Sequence, residues 1–274
     1  MSEIQSAAII GLGLIGGSLA RDLAARGVRV FAWDRDAATV RAAAEQGIAR
    51  RLAWNEPVDA VVVATPVLAA GELLRELAGR MDGVRLITDV GSTKRSIVGT
   101  AEGLGIGDRF VGSHPLAGDH RSGWEASRTG MFERARVYLT PTSTTADATL
   151  QRAKHLWGMV GARPEVMDAS EHDWRVAWAS HLPQAASTAL GRALAESGIA
   201  RSDLGTGGRD VTRLAGSSPE MWADILLDNA DEVTSALAEI SAHLSAIRDA
   251  VARGDHDRLR EIWAAANQWH AESP

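Results

Sequence analysis

Cysteine is absent from all 274 residues. Disulfides, thiolate nucleophiles and sulfur-ligated zinc are thereby excluded, so any redox chemistry must come from a bound cofactor. Lysine is nearly absent too: Lys94 and Lys154 are the only two, and basic charge rests on arginine. No stretch approaches the ~20 apolar residues of a membrane span. No basic segment precedes the first apolar run after Met1-Ser2-Glu3, and the expected location is the cytoplasm. Dense basic runs are also missing, and a net charge of −6 leaves no electrostatic footprint for nucleic acid. What remains is ordinary for a globular chain, 45% hydrophobic and 23% charged, and long enough for two domains with cores of their own.

The apolar run Ser6–Ile10 ends in Gly11-Leu12-Gly13-Leu14-Ile15-Gly16-Gly17, and an amphipathic stretch over 18–26 follows, closed by Gly27. This reads as strand, glycine turn and helix. A second strand over 28–33 ends at Asp34, and a helix is expected over Ala37–Glu45. The β-branched run over 59–64 has the character of a strand buried on both faces of a parallel sheet. A helix over 68–80 and a strand over 85–89 continue the alternation, with further strands expected over 110–113, 136–140 and 163–167. After about Asp168 the β-branched runs vanish and Ala/Leu-rich stretches take over. The expectation is an α/β protein with an N-terminal doubly wound, Rossmann-type domain over 1–168 and a C-terminal all-helical domain over 169–274. Pro219 falls at a helix start after the cap candidates Ser217 and Ser218. Within 228–253, Val233, Leu237, Ile240, Leu244, Ile247 and Val251 recur at helical spacing, as either a core helix or the interface of a homodimer.

Gly11-x-Gly13-x-x-Gly16, set between strand and helix, is a dinucleotide fingerprint in its required context. Gly11 permits the tight turn, Gly13 lets a pyrophosphate approach the backbone, and Gly16 allows close helix–strand packing. Leu12, Leu14 and Ile15 lie in the same turn and are counted with the glycines as cofactor-binding, and the N-terminus of the helix that follows faces the phosphates. Asp34, about 20 residues on, is placed to accept hydrogen bonds from ribose hydroxyls, and a carboxylate there repels a 2′-phosphate. NAD is therefore preferred over NADP, a preference that the neighbouring Arg35 tempers. Thr65-Pro66 stands where such sheets hold a loop against the cofactor, or is simply a helix start.

Four further segments narrow the chemistry: Asp89-Val90-Gly91-Ser92-Thr93-Lys94; Gly112-Ser113-His114-Pro115-Leu116-Ala117-Gly118; Ser180-His181-Leu182-Pro183 with Gly207-Gly208-Arg209-Asp210-Val211-Thr212-Arg213; and Ser218-Pro219-Glu220-Met221-Trp222. In order and spacing this set resembles the prephenate/arogenate dehydrogenase family. The resemblance runs from Ile9 to about Asn229. It implies His114 as catalytic base, Ser92 as its orienting hydroxyl, and a substrate region containing His181, Arg209, Asp210, Arg213 and Trp222, with Arg213 on the ring carboxylate. It also implies a homodimer. The substrate of such an enzyme loses a proton from its C4 hydroxyl as hydride leaves C4 for the nicotinamide, and departure of the C1 carboxylate makes the ring aromatic. A neutral imidazole suits that proton, and arginine offers a planar two-point grip on the carboxylate.

Duller roles stand beside these. His114 reads also as a loop histidine capping backbone groups, Ser92 as the N-cap of a helix starting near Lys94, and His181 as a core histidine. Arg209 and Arg213, one helical turn apart, read also as ion-pair partners of Asp210 or Glu220. His172-Asp173 fits the family pattern as well, but a structural role is expected there.

Two departures from the pattern concern the substrate. Many members have an acidic residue where this chain has His120, after Asp119, and many that act on prephenate carry a histidine where this chain has Gln184. Asp119 suits the ammonium of arogenate, whereas His120 when protonated suits the second anion of prephenate, so the two cues conflict. A C4-amino analogue of prephenate is a third candidate. β-Hydroxyacid dehydrogenases share the layout but use a lysine on the helical domain, and none follows Lys154. Imine reductases, and a non-catalytic NAD sensor, complete the alternatives; a sensor would need neither His114 nor the arginine pair.

Overall fold

The computed structural model describes residues 4–54, 56–80, 83–118 and 121–272. Among these, eight strands form one sheet: β1 (Ser6–Ile10), β2 (Arg29–Trp33), β3 (Arg50–Arg51), β4 (Ala60–Val63), β5 (Leu86–Asp89), β6 (Phe110–Pro115), β7 (Arg136–Pro141) and β8 (Arg163–Val166). Their spatial order is β3-β2-β1-β4-β5-β6-β7-β8. Every neighbouring pair is parallel except β6 with β7. Helices α1 (Leu14–Ala24), α2 (Ala37–Glu45), α3 (Val67–Leu77), α4 (Arg95–Gly103) and α5 (Asp147–Met159) accompany the sheet. Strands β1 and β4 are buried throughout, because helices cover both faces. Alternate side chains therefore feed two cores. One holds Ile9, Leu19, Leu23, Val62, Phe132 and Trp157; the other holds Ile10, Val61, Val63, Leu74, Ile87 and Phe110. The strand order reverses between β1 and β4, and a crevice opens there at the carboxyl ends of the strands.

Three boundaries differ from the sequence expectation for physical reasons. Helix α1 begins at Leu14 rather than at residue 18, so the glycine pair Gly16-Gly17 lies inside it. Strand β6 runs two residues further than expected, because antiparallel pairing with β7 extends to Pro115↔Val137 and draws His114 into the sheet opposite Tyr138. The short edge strand β3 carries two exposed arginines and had no apolar signature to reveal it.

The helical part begins with α6 (Ala169–Val176), capped by the Asp168 carboxylate on the N–H groups of Ser170 and Glu171. A π-helical turn, Ala177–His181, joins it to α7 (Leu182–Glu196). Pro183 follows that turn, and a proline has no N–H to give and crowds the carbonyl four residues back, so the widened turn falls where its ring must be accommodated. Next come α8 (Thr206–Val211), α9 (Pro219–Asp228), α10 (Ala230–Arg253) and α11 (His256–Glu272). The helix expected from residue 228 starts at Ala230, because Asn229 breaks the path and buries its amide between the two domains. Val233 on α10 is buried, whereas Leu244 and Val251 are exposed, as is Trp263 on α11. No helix of the described residues is long and apolar enough to cross a membrane.

Candidate active site

The glycine turn between β1 and α1 has the shape of a phosphate cradle. Gly11 has φ +103°, and a Cβ there would stand 2.5 Å from the Ala64 carbonyl oxygen. A Cβ on Gly16 would meet the Gly11 oxygen at 2.0 Å, whereas one on Gly13 would meet nothing within 4 Å. Two glycines thus close the turn, and the third leaves open space in front of it. The first bond of α1 runs from Gly17 N–H to the Gly13 oxygen at 2.8 Å. The N–H groups of Leu14, Ile15 and Gly16 lie outside that ladder, at the positive end of the helix, and no side chain caps them. Asp34 closes β2 and accepts from Leu12 N–H at 2.7 Å and Asp36 N–H at 2.8 Å, which fixes its carboxylate beside the turn. Arg35 points to solvent. The Thr65 hydroxyl is shielded from solvent and has no partner among the described residues. Pro66 serves as the N-terminal boundary of α3, so this pair is both a helix start and a wall of the crevice. These residues fit a dinucleotide.

At the carboxyl end of β6, three histidines come together. His114 Nδ1 lies 2.9 Å from His172 Nε2, and His172 Nδ1 lies 2.7 Å from Asp173 Oδ1. His181, at the end of the π turn, has its Nδ1 3.3 Å from the Asn229 amide nitrogen. Burial, followed by the neighbouring His172, Lys94 and His181, holds the His114 imidazole well below its ordinary pKa. Burial also lowers His172, against the pull of Asp173, and lowers His181 to about 4. Burial raises Asp173, but hydrogen bonds from His172 and from the Arg95 and Lys94 backbone outweigh it and keep the carboxyl below its usual range. At neutral pH the cluster is three uncharged imidazoles beside one carboxylate. Beneath it, fully buried Lys94 pairs with buried Asp89, whose other oxygen accepts from Ser113 N–H on the histidine strand. A buried pair of this kind holds the loop between β5 and α4 in one geometry.

The third component is a cavity of about 940 Å³ in the helical part, lined among others by Gly118, Gln184, Leu194, Arg213, Met221 and Trp222. Trp222 packs edge-on to His181 with ring centroids 5.9 Å apart, which joins the cavity wall to the histidine cluster. Neither Arg213 nor Arg209 forms an ion pair among the described residues, so the pairing with Asp210 or Glu220 considered above does not occur. Arg213 lines the cavity, whereas Arg209 is exposed on α8 and does not. Gln184 is buried; its amide donates to the Leu214 carbonyl at 2.8 Å and accepts from the Ser217 hydroxyl at 3.3 Å. It therefore holds the turn that carries Arg213.

Ser92 lies half-buried in the loop before α4 and does not cap it, contrary to one of the two readings above. The cap is Asp173, which accepts from Lys94 N–H at 2.8 Å and Arg95 N–H at 2.9 Å. Asp119 and His120 lie outside the described residues. His172-Asp173, for which a structural role is expected, caps α4 through Asp173 and also touches His114 at 2.9 Å through His172. Their signal in the sequence is an adjacent His-Asp pair on the buried face of a helix whose other polar residues, Ser170, Glu171 and Arg175, are exposed or half-buried. Asp89 and Lys94 bound one of the quoted segments, but nothing in their spacing reveals that they pair; Asn229, a single polar residue, carries no pattern to read.

A family model described as the nucleotide-binding domain of prephenate dehydrogenase matches residues 19–166. One described as the dimerization domain of prephenate dehydrogenase matches residues 168–265. The chain is 32% identical over 288 residues to the prephenate dehydrogenase of Bacillus subtilis (strain 168), covering 100% of this chain and 78% of that protein. It is 31% identical over 274 residues to the cyclohexadienyl dehydrogenase of Zymomonas mobilis, with 95% and 93% covered. Among solved structures, prephenate dehydrogenase from A. aeolicus in complex with hydroxyphenyl propionate and NAD+ superposes with a TM-score of 0.90 at 30% identity, covering 100% and 99% of the two chains.

Proposed function

The chain belongs to the prephenate dehydrogenase family, and from that premise we propose that it oxidatively decarboxylates prephenate, arogenate or both, with His114 as the base and Arg213 as the carboxylate clamp. The observation that carries this reading is His114, held by burial below its ordinary pKa, in contact with His172 and within electrostatic reach of His181, whose ring packs on Trp222 in the wall of the cavity that Arg213 also lines.

Each group has a defined task. Gly11, Gly13 and Gly16, with the open N–H groups of α1, hold the pyrophosphate, and Asp34 takes the ribose. NAD when bound supplies the acceptor for the hydride that leaves C4. His114 takes the proton from the C4 hydroxyl as that carbon becomes a carbonyl. Loss of carbon dioxide then sends an electron pair through the ring to the same oxygen, and the imidazolium returns the proton to the phenolate. No net proton is consumed. Arg213 grips the departing carboxylate while its exposure leaves the charge partly solvated, so the group is positioned without being held back. Trp222 and the apolar wall at Leu194 and Met221 exclude water from the ring.

Association as a homodimer belongs to the same proposal. Leu244 and Val251, two turns apart on α10, and Trp263 on α11 are exposed in the single chain, apolar side chains that a second copy would cover. Light scattering is expected to give twice 29.1 kDa; a single-chain mass at micromolar concentration rejects the dimer.

The activity is tested by NADH formation with prephenate and arogenate offered separately, first with NAD and then with NADP. A rate with either acid and NAD is expected. Inertness towards both acids, with reduction of cyclic imines by NADH instead, would overturn the reading.

A further inference from the structure

We infer that His172, itself oriented by Asp173, sets the tautomer of His114 so that Nε2 is the unprotonated atom that receives the substrate's proton. The inference rests on the functional reading above, but its geometry stands apart from it. Asp173 Oδ1 faces His172 Nδ1 at 2.7 Å and Lys94 N–H at 2.8 Å, while Oδ2 faces the backbone N–H and the Nε–H of Arg95 at 2.9 and 3.2 Å. A carboxylate surrounded by donors accepts only, so His172 Nδ1 must carry a hydrogen. A neutral imidazole has one N–H. His172 Nε2 then presents a lone pair, 2.9 Å from His114 Nδ1. The proton of that contact belongs to His114 Nδ1, and His114 Nε2 is left bare.

The arrangement has a second effect. When Nε2 takes a proton, His114 becomes a cation in a buried place. Its Nδ1–H already points at His172, and through His172 at the Asp173 carboxylate, which offsets part of the desolvation that otherwise opposes the charge. His172 is thus a positioning residue; it touches His114 and not the substrate. Protonation of His172 would reverse the relay, because both of its nitrogens would donate and His114 would be forced to hold its hydrogen on Nε2. The groups that govern this balance are Asp173 on α6, Lys94 and Asp89 from the loop after β5, and His181 on the π turn. Tyr138 of β7 packs its ring 5.5 Å from His172, and Arg95 bonds the far side of Asp173.

Nitrogen-15 NMR of the NAD-loaded enzyme without substrate tests the relay, with the His114 signals assigned by their loss in His114→Asn. The expected spectrum shows Nδ1 protonated and Nε2 of the bare, pyridine-like type. In His172→Phe the signals should move towards a mixture of tautomers, with kcat falling about 10- to 100-fold, less than the full 10²- to 10⁴-fold of a general base, and with NAD affinity unchanged. His172→Gln, whose amide oxygen can still accept from His114 Nδ1–H, should recover most of that loss and shift the acid limb of the pH profile less. A wild-type spectrum with the hydrogen on Nε2 overturns the inference, as does unchanged turnover in a folded His172→Phe enzyme. Should that variant not fold, the wild-type spectrum decides alone. Because it is recorded without substrate, it reads the relay even if the enzyme proves inert towards both acids.

Discussion

Asp173 and Arg95 lock the two parts of the chain together: the carboxylate on α6 accepts from the backbone N–H of Arg95 at 2.9 Å and from its Nε at 3.2 Å. The N-terminus of a helix in the sheet domain is thus capped by a side chain of the helical domain, with the negative charge at the positive end of the helix. The Arg95 guanidinium then reaches back to Asn229 at 2.9 Å and Asp231 at 2.7 Å. One consequence is that His172, next in sequence to Asp173, is delivered to His114 by the same joint.

Removing the joint should therefore cost stability as well as activity. Asp173→Ala strips a buried carboxylate from two backbone N–H groups, an imidazole and a guanidinium, and only the guanidinium keeps other acceptors, at Asn229 and Asp231. The expected loss is about 3–5 kcal/mol, the range for breaking a buried charged network. Urea denaturation of the variant checks it; a midpoint equal to that of the wild type would mean that the domains are held elsewhere.

Replacing the base isolates the chemical step. His114→Asn keeps a polar side chain of similar reach but cannot take up the proton, so kcat should fall by at least ~100-fold. The cradle around Gly11 and Gly13 is separate, and calorimetric titration should give wild-type affinity for NAD. Equal turnover would remove His114 from the role of base.

The arginine in the cavity should act on binding of the acid and on nothing else. Arg213→Ala removes the unpaired guanidinium, so the Michaelis constant for prephenate or arogenate should rise by one to two orders of magnitude, as roughly 1.5–3 kcal/mol of charged hydrogen bonding is lost. That of NAD should stay where it was. An increase confined to NAD would reject Arg213 as the carboxylate clamp.

How far the sequence disclosed this site depends on the range of the contacts. Gly11, Gly16 and Asp34 could be read because strand, turn and helix are adjacent in the chain, and β4 because a β-branched run has few other uses. The His114–His172 contact spans 58 residues and two domains, and no local period encodes it. Residues 172 and 181 are nine apart, about two and a half turns of an ordinary α-helix, which would set them on opposite faces. The π turn before Pro183 breaks that count and leaves both within electrostatic reach of His114. Ser92 looked like a cap because a hydroxyl before a helix commonly is one; the carboxylate that does cap α4 comes from 79 residues away.

The glycine fingerprint makes a paired prediction, since its members differ in what surrounds them. Gly13→Ala adds a methyl group into open space, so the unliganded protein should melt at nearly the wild-type temperature while NAD affinity drops, the methyl standing where the pyrophosphate must come. Gly16→Ala drives a methyl group to 2.0 Å from the Gly11 oxygen, so the helix must move and the unliganded protein itself should lose stability. Thermal melting and NAD titration of both variants check the contrast. A Gly13→Ala protein that binds NAD normally would show that the cofactor does not approach the backbone at that point.

The last prediction concerns acid. His181 is 1% exposed, and its Nδ1 accepts from the Asn229 amide, an arrangement that suits only the neutral ring. Burial takes its pKa from 6.5 to about 4 in the folded chain. Between those values the unfolded chain binds a proton that the native one refuses, so the contribution is intact above about pH 6.5 and is lost progressively as the pH falls towards 4. The difference of 2.5 pH units amounts to about 3 kcal/mol at the lower end. His172 and His114 are shifted in the same direction and steepen the decline. Urea midpoints measured from neutral pH downwards should therefore fall over that window, and His181→Gln, which keeps an acceptor for Asn229 but cannot titrate, should fall less steeply. Parallel curves for the two proteins would mean that His181 takes up its proton in the folded state as readily as in the unfolded one.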